Sequence, residues 1–199
     1  GALPQGGYVR LFEIAPDSSS VAYAATQELA DRDNLYVVPI DGSAAPARIP
    51  GPSAPGASVR ELQFTPDGTR LVFVAVVGSQ IPLFEALSDG SEQPRRLSAA
   101  GESVSGPFGG RLQFSADGLR LLYLGHLAPA PFSRLCSVPV DGSAPRAQLS
   151  TSEQFVQNVY QPVLVTPAGQ VFYVARTSRR IDTFRVPIDG SAPPVVLVP

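Results

Sequence analysis

Four repeats of an all-β unit are predicted by three observations on a chain of 199 residues. The tripeptide Asp-Gly-Ser recurs at Asp41, Asp89, Asp141 and Asp189, at spacings of 48, 52 and 48 residues. A second marker lies upstream of each copy, as "APDSSS", "TPDGTR", "SADGLR" and "TPAGQ", and its second residues Pro16, Pro66, Ala116 and Pro167 are spaced 50, 50 and 51 apart. Apolar residues keep the same register on both sides of that marker. Two independent markers with one period near fifty residues, and no helical periodicity between them, describe the blades of a β-propeller. The expected fold is therefore all-β. It is a single propeller domain over 1–199, with four four-stranded antiparallel blades at about 1–52, 53–104, 105–154 and 155–199.

Each element of the unit has its own warrant. The first strand carries an alternating apolar pair: Phe12 and Ile14, Leu62 and Phe64, Leu112 and Phe114, Val163 and Val165. A period of two marks a half-buried strand. The second strand follows the marker as "VAYAA", "LVFVA", "LLYLG" or "VFYVA", apolar on both faces, with Tyr23, Phe73, Tyr123 or Tyr173 at its third position. The third strand precedes Asp-Gly-Ser as "LYVVPI", "LFEALS", "LCSVPV" or "TFRVPI". A short fourth strand is marked by an aliphatic residue eight positions after each Asp: Ile49, Leu97, Leu149 and Leu197. Asp-Gly supplies the positive-φ corner that tight hairpins need, so the repeated tripeptide reads as the turn between the last two strands and not as a ligand loop.

These residues resemble the TolB-type (WD40-like) propeller repeat. "LQFTPDGTRLVFVA" (62–75) with "DGSEQPRRLS" (89–98) is similar to its blade pattern throughout, and "LQFSADGLRLLYLG" departs only at Ala116. The first blade lacks the Gly of the marker, and the last has Ala168 in place of Asp and one residue fewer. The resemblance covers essentially the whole chain. It implies a non-catalytic binding module with a protein or peptide partner, in the periplasm or outside the cell in the bacterial envelope. The same blades form propeller portions of larger enzymes such as serine peptidases, and architectural segments of large surface proteins, and these remain the alternatives. TolB-type rings usually have six or more blades. Four imply a small four-bladed ring, or an incomplete ring that becomes half of a larger one by self-association through open end blades.

Composition narrows the classes. Fifteen Lys+Arg against 17 Asp+Glu give a net charge of −2, which offers no footprint for nucleic acid. No apolar run reaches the roughly 18 residues of a membrane-spanning helix. One cysteine excludes an intrachain disulfide and a Cys-based zinc site. The chain starts Gly-Ala-Leu and holds no methionine, so it reads as processed or trimmed, and the missing signal peptide does not exclude export.

No cofactor, metal or catalytic group is expected. His126 has no second histidine and no Gly-x-Ser-x-Gly elbow to work with, and reads as a strand-end residue. Cys136 occupies the slot of Tyr36, Phe84 and Phe184, and reads as a small core hydrophobe. Asp31, Asp33 and Asn34 in "DRDN" alternate oxygens as calcium loops do, yet without the glycine and distal Glu of such loops; a polar connection is the expectation. Asp17, Asp67 and Asp117 recur once per blade, which suits turn capping better than a shared active site. A partner-binding rim is expected where the blades differ. Phe132 lies in "HLAPAPFSR", Phe155 and Tyr160 in "QFVQNVYQP", and Arg179 and Arg180 in a hairpin; a second basic pair is Arg95 and Arg96.

Overall fold

The computed structural model describes residues 7–26, 33–51, 57–105, 112–128, 133–151, 163–177 and 180–198, and every regular element among them is a strand. Blade 1 contains β1 (Val9–Ile14), β2 (Ser20–Ala25), β3 (Asn34–Pro39) and β4 (Ala47–Ile49). Blade 2 contains β5 (Ser58–Phe64), β6 (Arg70–Val76), β7 (Leu83–Leu87) and β8 (Arg95–Arg96). Blade 3 contains β9 (Glu102–Ser105), β10 (Gln113–Phe114), β11 (Arg120–Leu127), β12 (Arg134–Pro139) and β13 (Ala147–Gln148). Blade 4 contains β14 (Leu164–Val165), β15 (Gln170–Arg176), β16 (Ile181–Pro187) and β17 (Val195–Val198). Each blade is an antiparallel meander in chain order, the sheet a propeller repeats. Blades 1 and 2 lie in one compact unit, Gly1–Arg96, and blades 3 and 4 in another, Leu97–Pro199.

Blade 3 departs from the meander in one respect. Its β9 and β10 both pair with β11, Ser105 opposite Leu124 and Gln113 opposite Leu122, so together they fill the place of one first strand. Blades 1 and 2 bulge at the same level: Val9 and Leu11 face Ala25 and Ala24, and Val59 and Glu61 face Ala75 and Val74. Arg10 and Arg60 are the extra residues, and a bulge of this kind re-aims its side chain.

The upstream turn closes through a repeated bond set. Thr65 N–H donates to the Arg70 carbonyl, and Ser115 N–H to that of Arg120. The hydroxyls of Thr65 and Ser115 donate to Asp67 Oδ1 (2.5 Å) and Asp117 Oδ1 (2.6 Å). Those side-chain bonds, together with the N–H groups of Thr69 and Leu119, hold both carboxyls below the ordinary carboxylate range. Blade 4 lacks the Asp, and its shorter turn closes between Thr166 and Gln170 instead. The corner residue is a glycine at positive φ in blades 2, 3 and 4, but in blade 1 it is Ser18 at φ 60°. A non-glycine residue there costs about 1–2 kcal/mol. Ser18→Gly is therefore expected to stabilise the first unit by about 0.5–1 kcal/mol after the larger entropy loss of glycine is subtracted. A urea titration of the purified variant checks this, and an unchanged or lower midpoint contradicts it.

Each unit is held by one blade-to-blade core. On β2, Val21 and Tyr23 point to one face (the front), while Ala22 and Ala24 point to the other (the back); the same alternation runs through every blade. In the first unit the back of blade 1, with Ala22, Ala24, Leu35 and Ile49, shares a buried cluster with Leu62, Phe64, Leu71 and Phe73 on the front of blade 2. In the second unit Leu122, Leu124, Leu135 and Leu149 take the same positions on the back of blade 3, against Val163, Val171, Tyr173 and Phe184 of blade 4. Burying a side chain of this size contributes about 1.5–3 kcal/mol. Across the central strands, Tyr23 stacks on Tyr36, Phe73 on Phe84 and Tyr173 on Phe184, with centroids 5.3–5.4 Å apart. In blade 3 the partner of Tyr123 is Cys136.

Candidate functional site

Antiparallel pairing sorts the connections of each blade to two ends. In blade 1, Val9 pairs with Ala25, Ala25 with Asn34, and Leu35 with Ile49, so the chain enters, makes its central hairpin and leaves at one end, the loop end. Both repeated turns lie at the opposite, turn end. The other blades follow, with Val74 opposite Leu83, Gly125 opposite Arg134, and Arg176 opposite Ile181.

The turn end is uniform. The N–H groups of Ser43, Ser91, Ser143 and Ser191 donate to the preceding Asp41, Asp89, Asp141 and Asp189 at 2.9–3.0 Å. Gly42, Gly90, Gly142 and Gly190 all sit at φ 60–72°. The bonds from the Ser43 and Ser91 hydroxyls and N–H groups lower the Asp41 and Asp89 pKa values. The β4 strand pairs only with Leu35–Val37, so Pro39 lies beyond it, where its missing N–H costs no ladder bond. These carboxylates are committed to their own turns, as the periodicity implied.

The loop end differs from blade to blade. In blade 1, Asp33 Oδ2 accepts from Arg10 Nε (2.6 Å) and from the Val59 N–H (3.0 Å), tying the bulge of β1 to the start of β5. The Arg10 guanidinium lies 5.3 Å from the Tyr8 ring centre and donates to the Tyr8 hydroxyl (2.6 Å). Backbone bonds between Tyr8 and Thr26 fix the ring's base, and the ring itself is exposed. In blade 4, Arg180 closes the hairpin through bonds with Thr177, and its Nε donates to the buried Asp182 (3.0 Å) while about half of the Arg180 side chain stays exposed. Four buried side-chain atoms lack a hydrogen-bond partner among the described residues. Three of them, Asp33 Oδ1, Asn34 Nδ2 and Asp182 Oδ1, belong to residues at these loop ends. Buried polar atoms are rarely left unsatisfied without a reason, and a ligand or partner is one such reason.

Arg180 is thus the one rim residue from the sequence that the described structure places, exposed and at a loop end. Phe132, Phe155, Tyr160 and Arg179 lie outside the described residues, as does Asp31. Asp33 is engaged by Arg10, whose guanidinium occupies the oxygen a cation would use, and Asn34 Oδ1 accepts from Arg48 (3.0 Å). Among the described residues no three metal-ligating side chains cluster. Arg95 binds buried Glu85 at 2.8 Å while about half of its side chain stays exposed, and Arg96 reaches Gln80. His126 sits in β11 opposite Ser103.

Sequence reasoning missed a buried polar cluster in blade 3. Glu102, fully buried at the start of β9, accepts at Oε2 from the Tyr123 hydroxyl (3.1 Å) and the Ala99 N–H (3.0 Å), and Arg146 Nε lies 3.2 Å from its Oε1. Arg146 also donates to Cys136 Sγ (3.3 Å). Two departures from the repeat make room. Cys136 stands in an aromatic column, and Gly125 stands where Ala25, Ala75 and Ala175 stand elsewhere. A Cβ on Gly125 would fall 2.2 Å from Glu102 Oε1. Burial pushes the Cys136 thiol up to about 12 and raises the Tyr123 hydroxyl too. A protonated, buried thiol is inert as a nucleophile at neutral pH.

No family model matches this chain, and no curated protein matches it in sequence. Solved structures do match its fold. TolB from Acinetobacter baumannii superposes with TM-score 0.51 at 18% identity, over 89% of this chain and 40% of that one. Porphyromonas gingivalis dipeptidyl peptidase 4 superposes with TM-score 0.68 at 12% identity, over 94% of this chain and 30% of that one. A structure of a nidogen/laminin complex gives TM-score 0.52 at 12% identity, over 98% and 66%. The chain therefore spans two fifths of the TolB chain and under a third of the peptidase chain. The blades have the fold of TolB-type propellers. No helix among the described residues is long and apolar enough to cross a membrane.

Proposed function

We propose that this chain is a non-catalytic binding module of the bacterial envelope that holds a protein or peptide partner at the loop ends of its blades. The observation that carries the reading is the division of labour within each blade. Turn ends repeat and satisfy their own polar groups, while loop ends vary and hold buried atoms of Asp33, Asn34 and Asp182 that find no partner among the described residues. Tyr8, Arg10 and Arg180 supply exposed aromatic and guanidinium groups held by local bonds, the residue types that dominate interface energetics. Likeness in fold to TolB supports the envelope setting, and the nidogen/laminin structure supports protein recognition by such a scaffold. Capture from an envelope extract tests the reading. Tyr8→Ala, Arg180→Ala and a Phe155→Ala/Tyr160→Ala double variant are expected to reduce capture of the same protein by about 10-fold or more each, as hot-spot truncations do. Leu119→Ala, an exposed turn-end change, is expected to leave capture intact. Loss of capture in the turn-end variant alone would overturn the proposal.

A second reading rests on the peptidase superposition, which reaches TM-score 0.68 over 94% of this chain. Under it the blades are the propeller portion of a larger enzyme. A natural polypeptide that continues into an α/β-hydrolase segment with its own Ser, Asp and His would decide for this reading.

A further inference from the structure

In blades 2 and 4 the front of the first strand lies against the preceding blade. Leu62 and Phe64 are 4% and 6% exposed beneath blade 1, and Val163 is 3% exposed beneath blade 3. The same positions in blade 1 are Phe12 and Ile14, and they are 66% and 51% exposed. Val21 and Tyr23 on β2 continue that open front and are only partly covered. At the other extreme, the back of blade 4 repeats the covering positions. Phe172, Val174 and Thr183 stand where Leu122, Leu124 and Leu135 stand in blade 3. Leu122, Leu124 and Leu135 are buried, whereas Phe172, Val174 and Thr183 are only partly covered.

The chain therefore carries both halves of a contact that it makes within each of its two units, with the halves left open on its first and last blades. We infer that the front face of blade 1 docks the back face of blade 4 of a second copy of this chain. The occupant is specified by the repeat. Twice in this protein the front of a first strand is covered by a blade back of aliphatic and small side chains, and blade 4 offers Phe172, Val174 and Thr183 at those positions, with Arg185 beside Phe172. The contact is heterologous, and a closed pair of copies holds two equivalent contacts. It is independent of the loop-end binding reading, because Phe12 and Ile14 lie on a sheet face and not in a loop.

Sedimentation of the purified chain at roughly 100 micromolar, a concentration that populates even weak dimers, is expected to give twice the 20.9 kDa of one chain. Phe12→Glu and Val174→Glu are each expected to weaken association by about 100-fold or more, because each buries a lone carboxylate in an apolar contact. Phe12 is exposed and Val174 only partly covered within one copy, and circular dichroism of each variant is expected to match the parent. Mixing the two variants should restore a dimer, since one of its two contacts then joins an unaltered front to an unaltered back. A contact between two blade 1 fronts would respond to Phe12→Glu alone and show no rescue, which would overturn the inference. So would a parent chain that stays monomeric, the result expected if a further blade of a longer polypeptide, or blade 4 of the same copy, covers Phe12.

Discussion

Replacing Glu102 by alanine is expected to cost the second unit about 3 kcal/mol, the size seen when one member of a buried ion pair is removed. The loss has three parts. Arg146 keeps a partly buried guanidinium without its carboxylate, the Tyr123 hydroxyl and Ala99 N–H lose their acceptor, and a cavity opens beside Gly125. Glu102→Gln retains the volume but replaces one oxygen by a donor, which must face either Arg146 or the two existing donors, so it recovers only part of the loss. The sharper test is a cycle with Gly125. In the parent chain Gly125→Ala places a Cβ on the Glu102 carboxylate and is expected to cost about 2 kcal/mol by overpacking. With Glu102 already alanine, the same methyl fills vacated space and should be close to neutral, as alanine is at the matching positions of the other blades. Urea titrations read by circular dichroism measure the cycle, since the chain has no tryptophan. Additive effects of the two substitutions would refute the proposed exchange of space between them.

Gly90→Ala is expected to destabilise the first unit by about 3 kcal/mol, and Gly42→Ala by only about 1 kcal/mol, although both occupy the same turn of the same repeat. Each sits at positive φ, 71–72°, so each pays the left-handed penalty. A Cβ on Gly42 meets nothing within 4 Å. On Gly90 it lies 2.9 Å from the Arg48 carbonyl oxygen and 3.3 Å from Ile49 Cδ1, on the last strand of the preceding blade. Backbone cannot swing aside as a side-chain tip can, so β4 must move and the buried Ile49 with it. Gly190 meets Ala147 of blade 3 at 2.9 Å in the same way. Equal costs at Gly42 and Gly90 would show that the turn acts only through its own φ.

The repeat was readable because its turns make stereochemical demands that few residues meet. Asp-Gly places a short acceptor before a positive φ, and each of the four copies stands where that geometry occurs. Alternating pairs such as Leu62 and Phe64 announced the first strands, and the aliphatic residue eight positions past each Asp announced the fourth. The loop ends were far less legible. Arg180 could be marked as a departure between blades, but Tyr8 and Arg10 could not. Their role depends on a bulge in β1 that aims Arg10 at Asp33, and no residue type announces that bulge. The blade 3 cluster left a faint trace, with Cys136 in an aromatic column and Gly125 in an alanine column. The group that explains both, Glu102, lies on a strand whose split into β9 and β10 shifts it out of the repeat's register.

Periodicity alone determined the all-β blades, their number and their turns, because these rest on interactions between residues a few positions apart that recur every fifty. Which polar groups stay unpartnered, why Gly90 is dearer than Gly42, and why Phe12 is open while Leu62 is closed were decided only by the packing of one blade on the next. Identical local sequences fold alike, but burial belongs to the neighbouring blade.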